Sequence, residues 1–155
     1  MARVLIVGCG CRGQALARAL IAGGHAVRGT SRDAHRLPSI EAAGAEAVTA
    51  DPDRLATMTP AIEGASLVCW LLGTASDADQ LHGPRLESML EHIVDTHVRG
   101  FVYETGGVER AEGVAAASRI AATYNMPVEL LTTDPAEHDG WLREATAAVN
   151  RMLSA

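Results

Sequence analysis

Val4-Leu5-Ile6-Val7-Gly8-Cys9-Gly10-Cys11-Arg12-Gly13-Gln14-Ala15-Leu16-Ala17 is the stretch whose reading decides the fold. Four apolar residues of strand type run into three glycines at G-x-G-x-x-G spacing, and the glycines open into a segment of helical composition. That strand-turn-helix context is what a dinucleotide fingerprint requires. Gly8 permits the tight turn, Gly10 lets a pyrophosphate approach the backbone, and Gly13 lets the helix pack closely on the strand. Free amides and the positive end of the helix dipole then face the phosphates. From this loop the expected cofactor contacts are Gly8, Gly10, Cys11, Arg12 and Gly13.

Working outward, the chain alternates strand and helix. Arg3–Val7 reads as the first strand and Cys11–Ala22 as the first helix, ended by Gly23-Gly24. Strands are expected at 25–30, 45–50, 66–72, 101–103 and 128–132, the fourth continuously apolar as in a central parallel strand covered on both faces. Helices are expected at 37–43, 55–62, 85–98, 111–124 and 141–153, with 73–84 a polar loop. The second helix would be capped from Ser31-Arg32-Asp33, although Pro38 obscures its start. The pattern predicts an α/β fold: a doubly wound parallel sheet of six strands in the order 3-2-1-4-5-6, forming one domain over residues 1–155. Ligands in such sheets bind at the carboxyl ends of the strands near the switch point.

Composition narrows the function classes. The chain has 155 residues, 48 % of them hydrophobic but only 3 % aromatic, so its core is built from Ala, Val, Leu and Ile. A formal charge of −6 argues against a nucleic-acid or membrane-surface partner, which would need a basic face. All 13 basic residues are Arg, so chemistry that needs a lysine is excluded. Three cysteines make no even disulfide framework and lack a second Cys/His pair at zinc spacing; no metal site is expected. Without a signal peptide or a long apolar run, the expected location is the cytoplasm.

The end of the second strand chooses between the two nicotinamide cofactors. An acid there hydrogen-bonds the ribose 2′-hydroxyl of NAD, whereas an Arg accommodates the 2′-phosphate of NADP. The sequence is Arg28-Gly29-Thr30-Ser31-Arg32-Asp33. Thr30 stands where NAD binders carry the carboxylate, and Ser31 and Arg32 offer a hydroxyl and a guanidinium to a phosphate. NADP is therefore the expected cofactor, with NAD the second choice, kept open by Asp33. Arg32 also reads as a solvated helix-start residue, and Arg12 as a group reaching the same phosphate or pointing to water.

These segments, with Thr49-Ala50-Asp51-Pro52-Asp53-Arg54-Leu55, Gly64-Ala65-Ser66-Leu67-Val68 and Gly100-Phe101-Val102-Tyr103-Glu104-Thr105, resemble the atypical, epimerase-like short-chain dehydrogenase/reductase group of NAD(P)-binding Rossmann proteins. The resemblance implies that Asp51 contacts the adenine amino group and that Leu71, Leu72 and Gly73 line the nicotinamide side. It also exposes departures. Typical members carry a Ser or Thr after strand five and a Tyr-x-x-x-Lys pair in the next helix. Here the hydroxyl position falls at Thr105 or Gly106, Gly106 being the better match, and the pair is replaced by Ala115 and Arg119. Alanine cannot transfer a proton, and an Arg side chain with a pKa above about 12 relays one poorly.

No other residue is assigned the role of acid. Tyr103 and Tyr124 read as packed or partly exposed aromatics. His82 sits near enough to the switch point to act as acid or base, against the commoner exposed loop histidine. Thr132, Thr133, Asp134, His138 and Asp139 are candidate substrate contacts or caps, and Trp141 a substrate-facing ring, a helix anchor or a dimer contact. Val149, Met152 and Leu153 supply either a homodimer face or packing on the sheet. The expected function is an NADP(H)-binding oxidoreductase or epimerase-like protein with an unknown small substrate; the alternative is a non-catalytic NAD(P)-binding sensor or regulatory domain. A gating domain of the potassium-transport type shares Val-Gly-x-Gly-x-x-Gly, but usually carries Asp where Thr30 stands.

Overall fold

A computed structural model describes residues 2–75 and 78–154. Strand β1 (Arg3–Val7) shows why the sheet lies where it does. Val4 and Ile6 point to one face and Leu5 and Val7 to the other, and all four are fully buried. A strand without a polar face has to be covered by helices on both sides. The helices are α1 (Cys11–Ala22), α2 (Leu37–Ala42), α3 (Leu55–Ile62), α4 (Ala78–Leu81), α5 (Pro84–Ile93), α6 (Ala111–Tyr124) and α7 (His138–Ser154). They alternate with β2 (Ala26–Ser31), β3 (Glu46–Thr49), β4 (Leu67–Trp70), β5 (Phe101–Glu104) and β6 (Val128–Leu131). All strand pairs are parallel and the order is β3-β2-β1-β4-β5-β6, as the sequence led us to expect.

Two cores result. One packs Leu5, Val7, Val68, Trp70, Phe101 and Tyr103 against residues of α3, α5 and α6. The other packs Val4, Ile6, Cys69 and Val102 against residues of α1 and α7. Val149 and Met152 belong to this second core and Leu153 packs against it, which corrects the dimer-face reading of these three residues. Their apolar surface is already covered by the chain's own sheet. Trp141 is likewise fully buried there, as the anchor of α7.

Several boundaries differ from expectation, among them the end of the helix expected at 85–98, which stops at Ile93. The segment after β2 opens with a 3₁₀ turn, Ala34–Arg36, capped by the Asp33 carboxylate accepting from the His35 amide at 2.9 Å; α2 then starts at Leu37 with Pro38 in its first turn. Proline costs nothing there, because a first-turn amide has no intrahelical acceptor. The expected polar loop 73–84 contains α4, and Pro84 opens α5; positions 76 and 77 of that loop lie outside the described residues. The closing helix begins three residues early, at His138.

Candidate functional site

A cavity of about 510 Å³ opens where β1, β2 and β4 end. Gly8, Gly10, Arg12, Gly13, Thr30, Ser31, Arg32, Leu71 and Leu72 line it, so nine of the twelve residues expected from sequence come together. Cys11, Asp51 and Gly73 do not line it. Cys11 is exposed at the first position of α1. Asp51 accepts from the Asp53 amide at 2.9 Å, so that oxygen holds a local turn, while its neighbours Ala50 and Pro52 form the wall. Gly73 is buried behind Leu72.

The glycine loop is held from β2. The Thr30 carbonyl accepts from the Cys9 amide at 2.9 Å and the Thr30 hydroxyl from the Gly8 amide at 3.4 Å. Thr30 is thus buried scaffold, with its hydroxyl turned to the loop. Gly8 has φ +81°, and a Cβ there would lie 2.7 Å from the Leu71 carbonyl. Gly10 differs. Its φ is −84° and a Cβ would meet no atom within 4 Å, so the fold itself does not call for glycine at this position. Gly10 is also the N-cap of α1 and offers no capping side chain, which leaves the positive helix end facing the cavity. An open cradle beside an uncapped helix start fits a pyrophosphate.

At the β2 end the wall carries Ser31, Arg32, Asp33 and Arg36. Asp33, the only carboxylate among these, has one oxygen on the 3₁₀ turn. Arg32 approaches Asp53 at 3.9 Å, and Asp53 also meets Arg85 at 3.5 Å. Arg36 was not foreseen, because sequence spacing alone did not place its turn on the cavity wall.

The opposite end, beyond β4, holds the principal surprises. Arg12 lines the cavity with its guanidinium tied into the fold, which corrects the reading that it simply points to water. Its Nη2 and Nε donate to the two oxygens of Glu104 at 2.7 and 3.1 Å, its Nη1 donates to Thr74 at 3.3 Å, and its guanidinium stands 5.6 Å from the centre of the Trp141 ring. Glu104, at the carboxyl end of β5, is fully buried and also accepts from the Gly73 amide at 2.9 Å. A fully buried carboxylate needs such partners to offset its lost hydration. Sequence reasoning passed over Glu104, whose partner lies 92 residues away.

His82 is buried, not an exposed loop residue as the commoner pattern suggested. Its Nε2 faces the Leu72 carbonyl at 3.0 Å and its Nδ1 the Tyr103 hydroxyl at 2.7 Å. A carbonyl can only accept, so Nε2 carries the proton and Tyr103 donates to Nδ1. Burial lowers the His82 pKa from its ordinary value, with nearby Arg110 adding to the effect, and burial raises that of Tyr103 to about 12. Burial pushes the thiols of Cys9 and Cys69 up to about 12, so both are protonated packing groups at neutral pH.

The residues that the sequence aligned with the usual proton-transfer set do not line the cavity. Ala115 is exposed on α6, and Arg119 is exposed in ion pairs with Glu87 and Glu91 of α5. Gly106 has φ +84° against the Gly73 carbonyl, and the Thr105 hydroxyl donates to the Leu131 carbonyl at 3.2 Å. Thr133 and the Thr132 amide bind Glu144 of α7, and Asp134 caps Ala136, so these serve local structure.

With this geometry in place, a family profile described as NAD(P)H-binding matches residues 8–145. The chain belongs to the NAD(P)H-binding family. Among curated proteins none matches it by sequence. Solved structures that resemble it include vestitone reductase from alfalfa (Medicago sativa L.), at 16 % identity and a TM-score of 0.65 over 84 % of this chain and 56 % of that one. Triphenylmethane reductase from Citrobacter sp., complexed with NADP(H), aligns at 18 % identity and 0.66 over 83 % and 48 %. An NADPH-dependent quinone oxidoreductase from Escherichia coli aligns at 17 % identity and 0.60 over 84 % and 46 %. At such identities the likeness is one of fold, and the chain spans about half the length of these proteins. A bound NAD(P)H would be held by the glycine loop at its pyrophosphate, by the β2 end at its adenosine ribose, and by Leu71, Leu72 and Thr74 at its nicotinamide half. It supplies a hydride to an acceptor when reduced.

Proposed function

We propose that this chain binds NADP(H) in preference to NAD(H) and works as a small, epimerase-like reductase. One observation carries the cofactor choice: Ser31, Arg32 and Arg36 line the β2 end of the cavity while Thr30, in the place of an acid, is buried beneath the loop. Guanidinium groups and a hydroxyl suit a 2′-phosphate. The NADP(H) in the Citrobacter structure and the NADPH dependence of the Escherichia coli enzyme support the same choice by likeness of fold. A reducing compartment such as the cytoplasm agrees with three unpaired cysteines.

Calorimetry against NADP, NADPH, NAD and NADH tests this. NADP(H) should bind more tightly, and Arg32→Ala should remove most of the difference, on the order of 1–3 kcal/mol for a charge-assisted pair. Equal affinities in the unmodified protein would show the cofactor assignment to be wrong.

A second reading, non-catalytic sensing of NADP(H), is favoured by the burial of Tyr103 and the surface positions of Ala115 and Arg119. NADPH oxidation with a panel of small carbonyl compounds separates the two. Measurable turnover sinks the sensor reading, and its absence across the panel counts against the reductase.

A further inference from the structure

Among the described residues, the nicotinamide half of the cavity carries an excess of positive charge. Arg12 forms part of the wall, its side chain 22 % exposed, whereas its partner Glu104 is fully buried behind it. Both oxygens of Glu104 face the Nε and Nη2 side of the guanidinium, so Nη1, beside Thr74, is the side left toward the cavity. A second guanidinium, Arg110, lies close by. Its Nη2 donates to the Gly73 carbonyl at 3.2 Å and its Nε to the Thr105 carbonyl at 3.1 Å, so its charge is met by neutral acceptors among the described residues. Two guanidiniums and one carboxylate thus surround Gly73 and Thr74. The imidazole of His82 is neutral at physiological pH, since burial lowers its pKa from the ordinary 6.5. Asp79 and Glu112, drawn toward His82 and Gly83, are exposed and therefore better screened.

The two forms of the cofactor differ at that place by one charge. The oxidised nicotinamide ring is a cation and the reduced ring is neutral, while the phosphates are the same in both. Resting on the NADP(H) assignment above, we propose that Arg12, supported by Arg110, makes this site selective for the reduced dinucleotide, so that its occupancy follows the NADPH to NADP ratio. Glu104 and Trp141 are positioning residues for Arg12: the carboxylate fixes the guanidinium plane and the indole sits against its face. A fixed cation beside a desolvated ring repels the pyridinium by an amount that corresponds to roughly tenfold or more in affinity.

The experiment measures NADPH, NADP and 2′-phospho-ADP-ribose affinities in parallel, for the unmodified protein and for Arg12→Lys, Arg12→Met and Arg110→Gln. The third ligand lacks the ring and so reports any general damage to the phosphate cradle. NADPH should bind the unmodified protein about tenfold more tightly than NADP, and added salt should shrink the ratio. Arg12→Lys, which keeps the charge, should retain most of the preference; Arg12→Met should abolish or reverse it, since Glu104 is then left to attract the oxidised ring. Arg110→Gln, which leaves the Arg12 pair intact, should lower the ratio several-fold and stands in if Arg12→Met does not fold. A ratio near one in the unmodified protein overturns the proposal, and so does a ratio that no folded variant changes. Tight but equal binding of both forms leaves the NADP(H) assignment standing, whereas binding of neither form removes both.

Discussion

His82 shows what a single side chain contributes to the cavity wall. One imidazole ties Leu72, which lines the cavity, to Tyr103 of β5, and it lies next to Leu81, whose carbonyl accepts from Trp70 Nε1 at 2.9 Å. The neutral ring is favoured by burial, which penalises the imidazolium. The His82 pKa is lowered in the fold, chiefly by burial, so below pH 6.5 the unfolded chain binds more protons than the native one. The sign follows: the stabilisation is complete above pH 6.5 and is lost as the pH falls through the lower native pKa. Urea midpoints measured from pH 7.5 down to 5 should therefore drop more steeply for the unmodified protein than for His82→Gln. Parallel slopes would show that His82 does not carry the effect. Neither the burial of His82 nor the Glu104–Arg12 pair was legible in the sequence. Both depend on which strand ends meet, and residues 92 apart are brought together by sheet order alone.

At the level of elements the sequence was far more informative, since apolar runs of strand length alternating with helical patterns leave few topologies for a parallel sheet. What it could not supply was the purpose of individual small residues. Gly29 read only as part of a cofactor-selecting segment. In the fold it is the point where β2 makes room for the glycine loop: a Cβ there would lie 2.7 Å from Cys9 Sγ and 2.9 Å from Ile40 of α2. Gly29→Ala should accordingly cost about 1–3 kcal/mol through overpacking, read as a lowered urea midpoint, and should weaken dinucleotide binding by shifting Cys9. A variant as stable and as tight as the original would mean that Cys9 and Ile40 can move aside without consequence. Among the element boundaries that moved, those at Ala34–Arg36 and Ala78–Leu81 lie where short polar segments fold under tertiary control.

For the molecule as a whole, ligand and fold are linked through mass action. A dinucleotide that binds only the native state at a hundred times its Kd stabilises it by about 2.7 kcal/mol, which for a chain of this size raises the Tm by roughly 5–10 °C. Thermal unfolding with NADPH, NADP and NADH should rank the three by the size of that rise. The absence of any shift with NADPH would contradict a site at this cavity. Gly10 makes the same measurement sharper. Because a Cβ there meets nothing in the protein, Gly10→Ala should lower the unliganded Tm only by the modest loss of a good helix N-cap, about 1 kcal/mol at most, while erasing the rise produced by NADPH. The protein therefore contains, one methyl group away, a ligand-blind twin of itself. Introduced into cells in place of the original, such a twin would separate what the chain does by occupying space from what it does by reading a nucleotide.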